Sequence, residues 1–507
     1  KTQKVETNQA NLAWMLALSA ILTPMLSWST SMLDETRFDG GLFSILCLFP
    51  IVYSLVHKRF TLFPGSIYIF TAISLGSFAF FIDHRFQFSY ESAYQGLADR
   101  APILSTLILM CCLYAWPRPK LNKLVTIICW FTSVACTFAL VQALGWDPPG
   151  YENILGRRPA YPFTGLNHAG EIVTPILLLS IALLVDSKSK MVLITPMLLV
   201  TGFWGGNAIR LGIILGLIIL NLSKKLPLKK GALYIVLFIA GEILRSQLSG
   251  KIASLEEEAV SSKVRIEIYQ SAIEKSFTTP LGIGIGQFEH SYPSWRSESE
   301  KELTSSNKLT GNYRAPKSLH NEFLQALLEL GWAGFLLLAI GIVRFFKAIY
   351  ESPYYSNAYF AATTAFLVCT MVRSPLTDNA ISLPLFALLS IAILPPKNKR
   401  SFFALGLAPL ALITIPPGYD AVRAEYHLAQ GIQEDENIFE RINLALESRS
   451  YDARTWVILG EVYLRQDQNI EARTCYQNAL SYHPYDLSAL MLAIRVESHP
   501  EKGNPSL

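Results

Sequence analysis

Charge is what this sequence has least of. Only 16% of its 507 residues are Asp, Glu, Lys or Arg, where an ordinary soluble domain carries about a quarter. A chain so poor in charge cannot cover a soluble surface of this length. Nor is the charge of one sign: 43 Lys and Arg stand against 39 Asp and Glu, for a net +4, and the basic residues are dispersed between apolar runs. Without a basic face, nucleic acid is excluded as the expected partner. The seven cysteines supply no framework either. Cys47, Cys111, Cys112, Cys129, Cys136 and Cys369 lie inside apolar runs, and Cys475 alone lies in a polar segment. This pattern has neither paired disulfide spacing nor a zinc motif. A small-residue cleavage pattern is also missing behind the first apolar run. Although the sequence opens at Lys1, that run therefore reads as a retained helix and not as a leader.

What the sequence does have is length of apolar run. Crossing a bilayer takes roughly 20 apolar helical residues, because no backbone amide can be left unpaired in lipid. About thirteen runs approach that criterion, from residues 12–29 to residues 402–415, and the expected fold is an all-α polytopic membrane protein. Short cytoplasmic loops collect Lys and Arg, which tests the count. One alternate set of connections holds Lys58 and Arg59; Arg118, Lys120 and Lys123; Lys188 and Lys190; Lys224, Lys225, Lys229 and Lys230; Arg344 and Lys347; and Lys397, Lys399 and Arg400. The other set begins with the acidic turn Asp34, Glu35, Asp39 and includes a long polar loop over residues 245–320. The alternation predicts a cytoplasmic N-terminus and places that loop and the C-terminus outside the cytoplasm.

Composition changes after the last run. Pro416, Pro417 and Gly418 are expected to break the helix, dividing a membrane domain, 1–416, from a charged amphipathic tail, 417–507. In the tail, Trp456, Leu459, Gly460, Tyr463, Ala472, Tyr476, Ala479 and Pro484 match the spacing of a 34-residue tetratricopeptide repeat. A weaker copy precedes it, where Ala445, Tyr451 and Asp452 echo Ala479, Tyr485 and Asp486. Such repeats need neighbours to bury their faces. The tail is thus either a plain helical cap or a dock for a protein partner or acceptor.

Irregular, polar residues concentrate in four outer segments. Residues 156–170, GRRPAYPFTGLNHAG, pair two arginines with an Asn-His step before a run. Residues 205–212 carry Arg210 at the mouth of an apolar helix, where an arginine either snorkels to the interface or meets an anion. In the large loop, Ser261 and Ser262 are placed to cap an amphipathic helix with Ile268, Tyr269 and Ala272 near the face of Arg265. That helix leads to TTPLGIGIGQFEHSYPSW, whose Gly282, Gly284 and Gly286 suit a turn that exposes amides to an anion or, more often, a plain turn. Finally, SLHNEFLQALLELGWAGF sets His320 and Asn321 at the outer edge of the next helix, the usual place for a cap.

In order and content these segments resemble the O-antigen ligase and O-antigen polymerase superfamily, from about Gly156 to Leu394. Residues 158–169 are similar to its Arg-rich motif before a middle helix. Residues 206–212 resemble its turn ending in arginine, with Ile209 and Leu211 departing from the usual residues. Residues 265–292 resemble its loop helix and Pro-Leu-Gly-Ile-Gly turn, and residues 320–334 its His-Asn helix entry.

The resemblance implies a metal-independent, inverting membrane glycosyltransferase of the polytopic C type, with no cofactor. Its donor would be a polyprenyl-diphosphate-linked glycan, and its acceptor a hydroxyl on a glycolipid, glycan or protein. Guanidiniums at a dry boundary would stabilise the leaving diphosphate, a role for Arg210 and Arg265. An imidazole would take the acceptor proton, a role for His320. Arg157, Arg158, His168, Arg314, Lys317, Asn321 and Arg373 are candidates for donor or acceptor contact. Ligase, polymerase and protein O-oligosaccharyltransferase share these motifs and differ in acceptor. One rival enzyme reading is metal-dependent, with Asp34, Glu35 or Asp39 as hard carboxylate ligands. A lipid-linked glycan transporter would need charge deep in the spans, and the apolar runs read as nearly charge-free. A scaffold built around the tail would leave the outer arginines and His320 without a role.

Overall fold

The structure, a computed structural model, describes residues 35–57, 61–82, 100–116, 121–143, 146, 166–184, 188–204, 206–223, 226–248, 255–305, 316, 318–352, 356–371, 408–433, 437–483 and 487–498. Every regular element among them is helical. The expected runs at residues 12–29 and 380–394 lie outside the described residues.

Among the described residues, eight helices precede the large loop: α1 (Glu35–Val56), α2 (Ser66–Ile82), α3 (Ala101–Ala115), α4 (Leu121–Ala143), α5 (Leu166–Leu184), α6 (Lys188–Trp204), α7 (Asn207–Leu222) and α8 (Leu228–Leu248). The loop carries α9 (Leu255–Thr278), the short α10 (Phe288–Ser291) and α11 (Glu298–Ser305). Two more apolar helices follow, α12 (Glu322–Tyr350) and α13 (Ser356–Thr370). The last five are α14 (Ala408–Gln433), α15 (Ile438–Ser448), α16 (Ala453–Arg465), α17 (Asn469–Tyr482) and α18 (Leu487–Ser498).

One large apolar core joins α1 through α8 to α12 and α13, with Phe43, Leu109, Cys112, Leu177, Ile194, Ile209 and Ala362 at its centre. These helices do not hide all their apolar surface. On α8, Val236, Ile239 and Ile243 recur at three- and four-residue spacing and are exposed, as a lipid-facing stripe requires. Among the described residues, two helical stretches are long and apolar enough to cross a membrane, Val125–Ala143 and Glu322–Tyr350. Shorter apolar stretches include Ala101–Ala115 and Asn207–Leu222.

Three local expectations are corrected. The helix of the large loop starts at Leu255, so Ser261 and Ser262 lie inside it and do not cap it. Pro416 and Pro417 do not break the chain either: α14 runs through both. A proline in a helix removes one backbone bond and strains the preceding turn, but here α14 lies along α1 and α3. Gly418 meets Gly41 of α1 so closely that a Cβ on Gly41 would strike the Gly418 carbonyl. Packing thus holds the two halves of α14 in line, and position 416/417 falls within a helix. Thirdly, the apolar helices are not free of charge: Glu171 on α5, Glu242 on α8 and Glu329 on α12 are all carboxylates within them.

The tail core begins on α14 itself, where Ala424 and Leu428 pack with Ile442, Ala445, Leu459 and Cys475. Next, α16 and α17 pair through Gly460, at which a Cβ would collide with the Tyr476 ring; Ala472 and Ala479 are fully buried beside it.

Candidate functional site

The large loop is built onto a break in α12. Gly331 has φ 69° and ψ 177°, so the ladder of α12 is interrupted there. In an unbroken helix the Trp332 N–H would bond the Leu328 carbonyl. Instead it donates to Pro280 O at 3.0 Å, and Leu328 O accepts from Ile283 N at 2.9 Å. The neighbouring Glu329 O accepts from Gly284 N at 3.2 Å, and Trp332 Nε1 donates to Ser276 O at 3.2 Å. The glycine turn of the loop therefore supplies the partners that the kink sets free.

Of the two readings of Gly282, Gly284 and Gly286, a cradle for an anion or a plain turn, the second holds. Their N–H groups donate to Thr279 O, Glu329 O and the Glu329 carboxylate, the last at 2.9 Å. The glycines are required for another reason: their φ values of 93°, 100° and 71° lie in the left-handed region, and Gly282 abuts the backbone of Glu329 and Gly331.

His320 stands just before α12, with Asn321 as the N-cap whose Oδ1 accepts from Leu324 N at 3.0 Å. The cap is thus Asn321, and His320 lies outside the helix with φ 51°. The other described non-glycine residue with positive φ is Asp467, in the turn between α16 and α17. A left-handed histidine costs of order 1–3 kcal/mol and persists only where its surroundings fix it, commonly at functional sites. Two contacts fix this one. The Tyr269 hydroxyl donates to His320 O at 3.0 Å, and Leu319 N donates to Gln325 Oε1 at 3.2 Å.

Tyr269 lies one turn from Arg265 on α9. Burial pushes its phenol up, and the Arg265 guanidinium nearby opposes that shift. The same tyrosine thus bonds the His320 backbone and lies within electrostatic reach of Arg265, so the helix that carries Arg265 is tied to the chain at His320. The loop core below them contains Ile268, Ala272, Ile283, Phe288, Tyr292, Leu319 and Leu328.

Arg210, in the first turn of α7, is held in a pair of its own. α7 packs mainly on α13 and α8 mainly on α6, so the pair ties together two helices that otherwise touch little. Arg210 Nε and Nη2 donate to Glu242 Oε1 and Oε2, both at 2.6 Å, and Nη1 donates to Asn207 Oδ1 at 3.0 Å. The pair is only part-buried, with side-chain exposures of 36% and 28%. A planar fork already aligned on two carboxylate oxygens has the geometry that two phosphate oxygens would use. Glu242 escaped the sequence reading, as did Glu329. Both were within reach of the rule that flagged Arg210, that an ionisable group in an apolar helix marks a site.

Beneath the first turn of α12 lies an apolar cavity of about 200 Å³ between α2, α3, α12 and α13. Phe63, Ile69, Leu107, Phe345 and Phe366 wall it, while Arg100, Glu322, Gln325 and Glu329 supply its polar part.

Arg157, Arg158, Arg314, Lys317 and Arg373 lie outside the described residues, as does Asp34. His168 falls in the first turn of α5, and Glu35 and Asp39 at the start of α1, where the backbone alone is described.

Residues 174–339 match the protein family described as O-antigen ligase. The matched segment contains Arg210, Glu242, Arg265, Tyr269, His320 and Glu329. No curated protein matches the chain.

Proposed function

On the match of residues 174–339 to the O-antigen ligase family, whose members are bacterial membrane proteins, we propose that this chain is of that superfamily and transfers a glycan from a polyprenyl-diphosphate donor to an acceptor hydroxyl. The transfer takes place on the outer face of the inner membrane, without a metal. In one displacement the acceptor oxygen attacks the anomeric carbon and its proton passes to the His320 imidazole. The bond from that carbon to the diphosphate oxygen breaks, and the electron pair leaves with the diphosphate. Single displacement inverts the anomeric centre. Arg265 and Arg210 stabilise the charge that gathers on the leaving group, and for Arg210 this means exchanging the Glu242 carboxylate for phosphate oxygens. The cavity beneath α12 takes part of the donor's prenyl chain, since its walls are apolar and its polar end lies two residues from His320. Arg157, Arg158, His168, Arg314, Lys317, Asn321 and Arg373 are secondary contacts; Asn321 does this alongside its role as helix cap. Residues 1–416 form a polytopic unit of about thirteen spans, and the residues beyond them, a tetratricopeptide-like tail, serve as an acceptor or protein dock.

The observation that carries this reading is the Tyr269 bond to the His320 carbonyl, which joins the Arg265 helix to a histidine held in a left-handed conformation outside its helix.

The test is a deletion strain complemented with His320 variants, with its surface glycans profiled. Loss of lipid-attached polymer, of chain length or of glycoprotein in the deletion strain identifies ligase, polymerase or protein transferase respectively. His320→Asn tolerates positive φ but brings no base, so it should lower transfer by roughly 10² to 10⁴. Wild-type transfer should weaken toward acid pH, as an imidazole base becomes protonated. An active Asn variant with a flat acid limb would leave His320 as a fixed structural residue.

A further inference from the structure

Glu329 sits on apolar α12 with 7% of its side chain exposed. A carboxylate taken out of water costs several kcal/mol unless donors replace its hydration. Three do. Arg100 Nη2 reaches Oε1 at 3.2 Å, Gln325 Nε2 reaches the same oxygen at 2.9 Å, and Gly286 N reaches Oε2 at 2.9 Å. These donors come from separate parts of the chain: the residue before α3, the first turns of α12, and the glycine turn of the outer loop.

The second of these contacts has a direction. An ionised carboxylate only accepts hydrogen bonds, so the Gln325 amide must turn its NH₂ toward Glu329. Its carbonyl oxygen then faces the opposite way, where it accepts from the Leu319 N–H. Leu319 immediately precedes His320, whose own carbonyl is held from the other side by Tyr269. Glu329, Gln325 and Leu319 therefore form a one-way relay ending at the strained residue, and Gln325 is itself only 2% exposed.

We infer that Glu329 is a positioning residue for the transfer reaction: through Gln325 it fixes the backbone at His320, and through Gly286 it fixes the loop turn against α12. This rests on the reading of His320 as the base. An ion pair serving stability alone would lower the melting point of the chain and leave the chemical step intact. Removing a positioning residue lowers kcat, and that effect vanishes once the group it positions is removed as well.

The experiment uses the purified full-length chain reconstituted with membranes of the deletion strain, which supply donor and acceptor. Glu329→Gln keeps the shape but places an NH₂ where only acceptors are tolerated, so one of the three donors must turn away. It should cost on the order of 10- to 100-fold in kcat, as small misplacements near the chemistry do. Gln325→Met, which cuts the relay and keeps the bulk, should reproduce the loss, and remains informative if Glu329→Gln does not fold. In a His320→Ala background either change should cost less than about twofold, because residues acting as a unit are not additive. A Gln325→Met kcat within twofold of wild type, or losses that multiply with His320→Ala, would overturn the positioning role and leave the base reading untouched. Full transfer by His320→Ala alone would overturn both.

Discussion

Arg210 is the residue at which function and stability make opposite forecasts. Its pair with Glu242 is about one-third exposed on each side, and exposed ion pairs contribute roughly 0–1 kcal/mol. Arg210→Ala should therefore hardly change the unfolding temperature or membrane yield while abolishing glycan transfer. Arg210→Lys should rescue poorly, because a point ammonium cannot span two oxygens as a guanidinium does. Near-normal transfer by the Ala variant would remove Arg210 from the site. At this scale the sequence was informative wherever a charged group stood out from its neighbours, as Arg210 and His320 do. It was silent on partners: the distances from Arg210 to Glu242 in sequence, 32 positions, and from Arg100 to Glu329, 229 positions, are closed by packing alone.

Among the elements, the kink in α12 decides how the outer loop is seated. Gly331 needs positive φ, and a Cβ there would overlap the Leu281 carbonyl carbon and the Pro280 oxygen. Gly331→Ala should cost about 1–3 kcal/mol from the backbone conformation alone, with more from the overlap. It should also unseat the turn that bonds Leu328 and Glu329. Thermal unfolding in detergent, together with protease sensitivity of the loop, measures both; unchanged unfolding with an intact loop would mean that the kink is dispensable. The glycines of the turn were visible as a turn signal, yet their purpose was not. A Gly-rich loop that cradles an anion and one that latches onto a broken helix have the same composition. What separates them is whether the N–H groups find carbonyls, and those carbonyls exist because Gly331 interrupts a run that reads as an ordinary span.

The whole molecule joins its outer loop to its tail. His290 on α10 and His483 at the end of α17 lie with ring centroids 4.6 Å apart, so the loop and the tail occupy the same side of the helices. The alternating basic loops predict that this side is outside the cytoplasm. A reporter fused after Leu507 should be active only in the periplasm, and one inserted beside the exposed Lys229 only in the cytoplasm. The reverse result for either fusion would shift the span count and displace every outer site. α14 runs unbroken from its apolar start into the tail, so the composition change at Pro416 does not coincide with the end of a helix. Proline content could not reveal this, because whether two adjacent prolines end a helix depends on what lies beside them, here the Gly41 and Gly418 contact with α1.

By itself the sequence determined the helical class, the large polar loop and the identity of the outstanding polar residues, because these follow from composition, run length and the cost of charge near lipid. The helix pair that closes over Gly460 was legible for the same reason, since small and aromatic residues recur at fixed spacing within one short segment. Tertiary structure decided which carboxylate meets which arginine, which amides are already taken, and how His320 comes to be held in a left-handed conformation beside Tyr269. Those outcomes depend on contacts between residues far apart in the chain, and local pattern carries no information about which distant groups the packing will bring within hydrogen-bond reach.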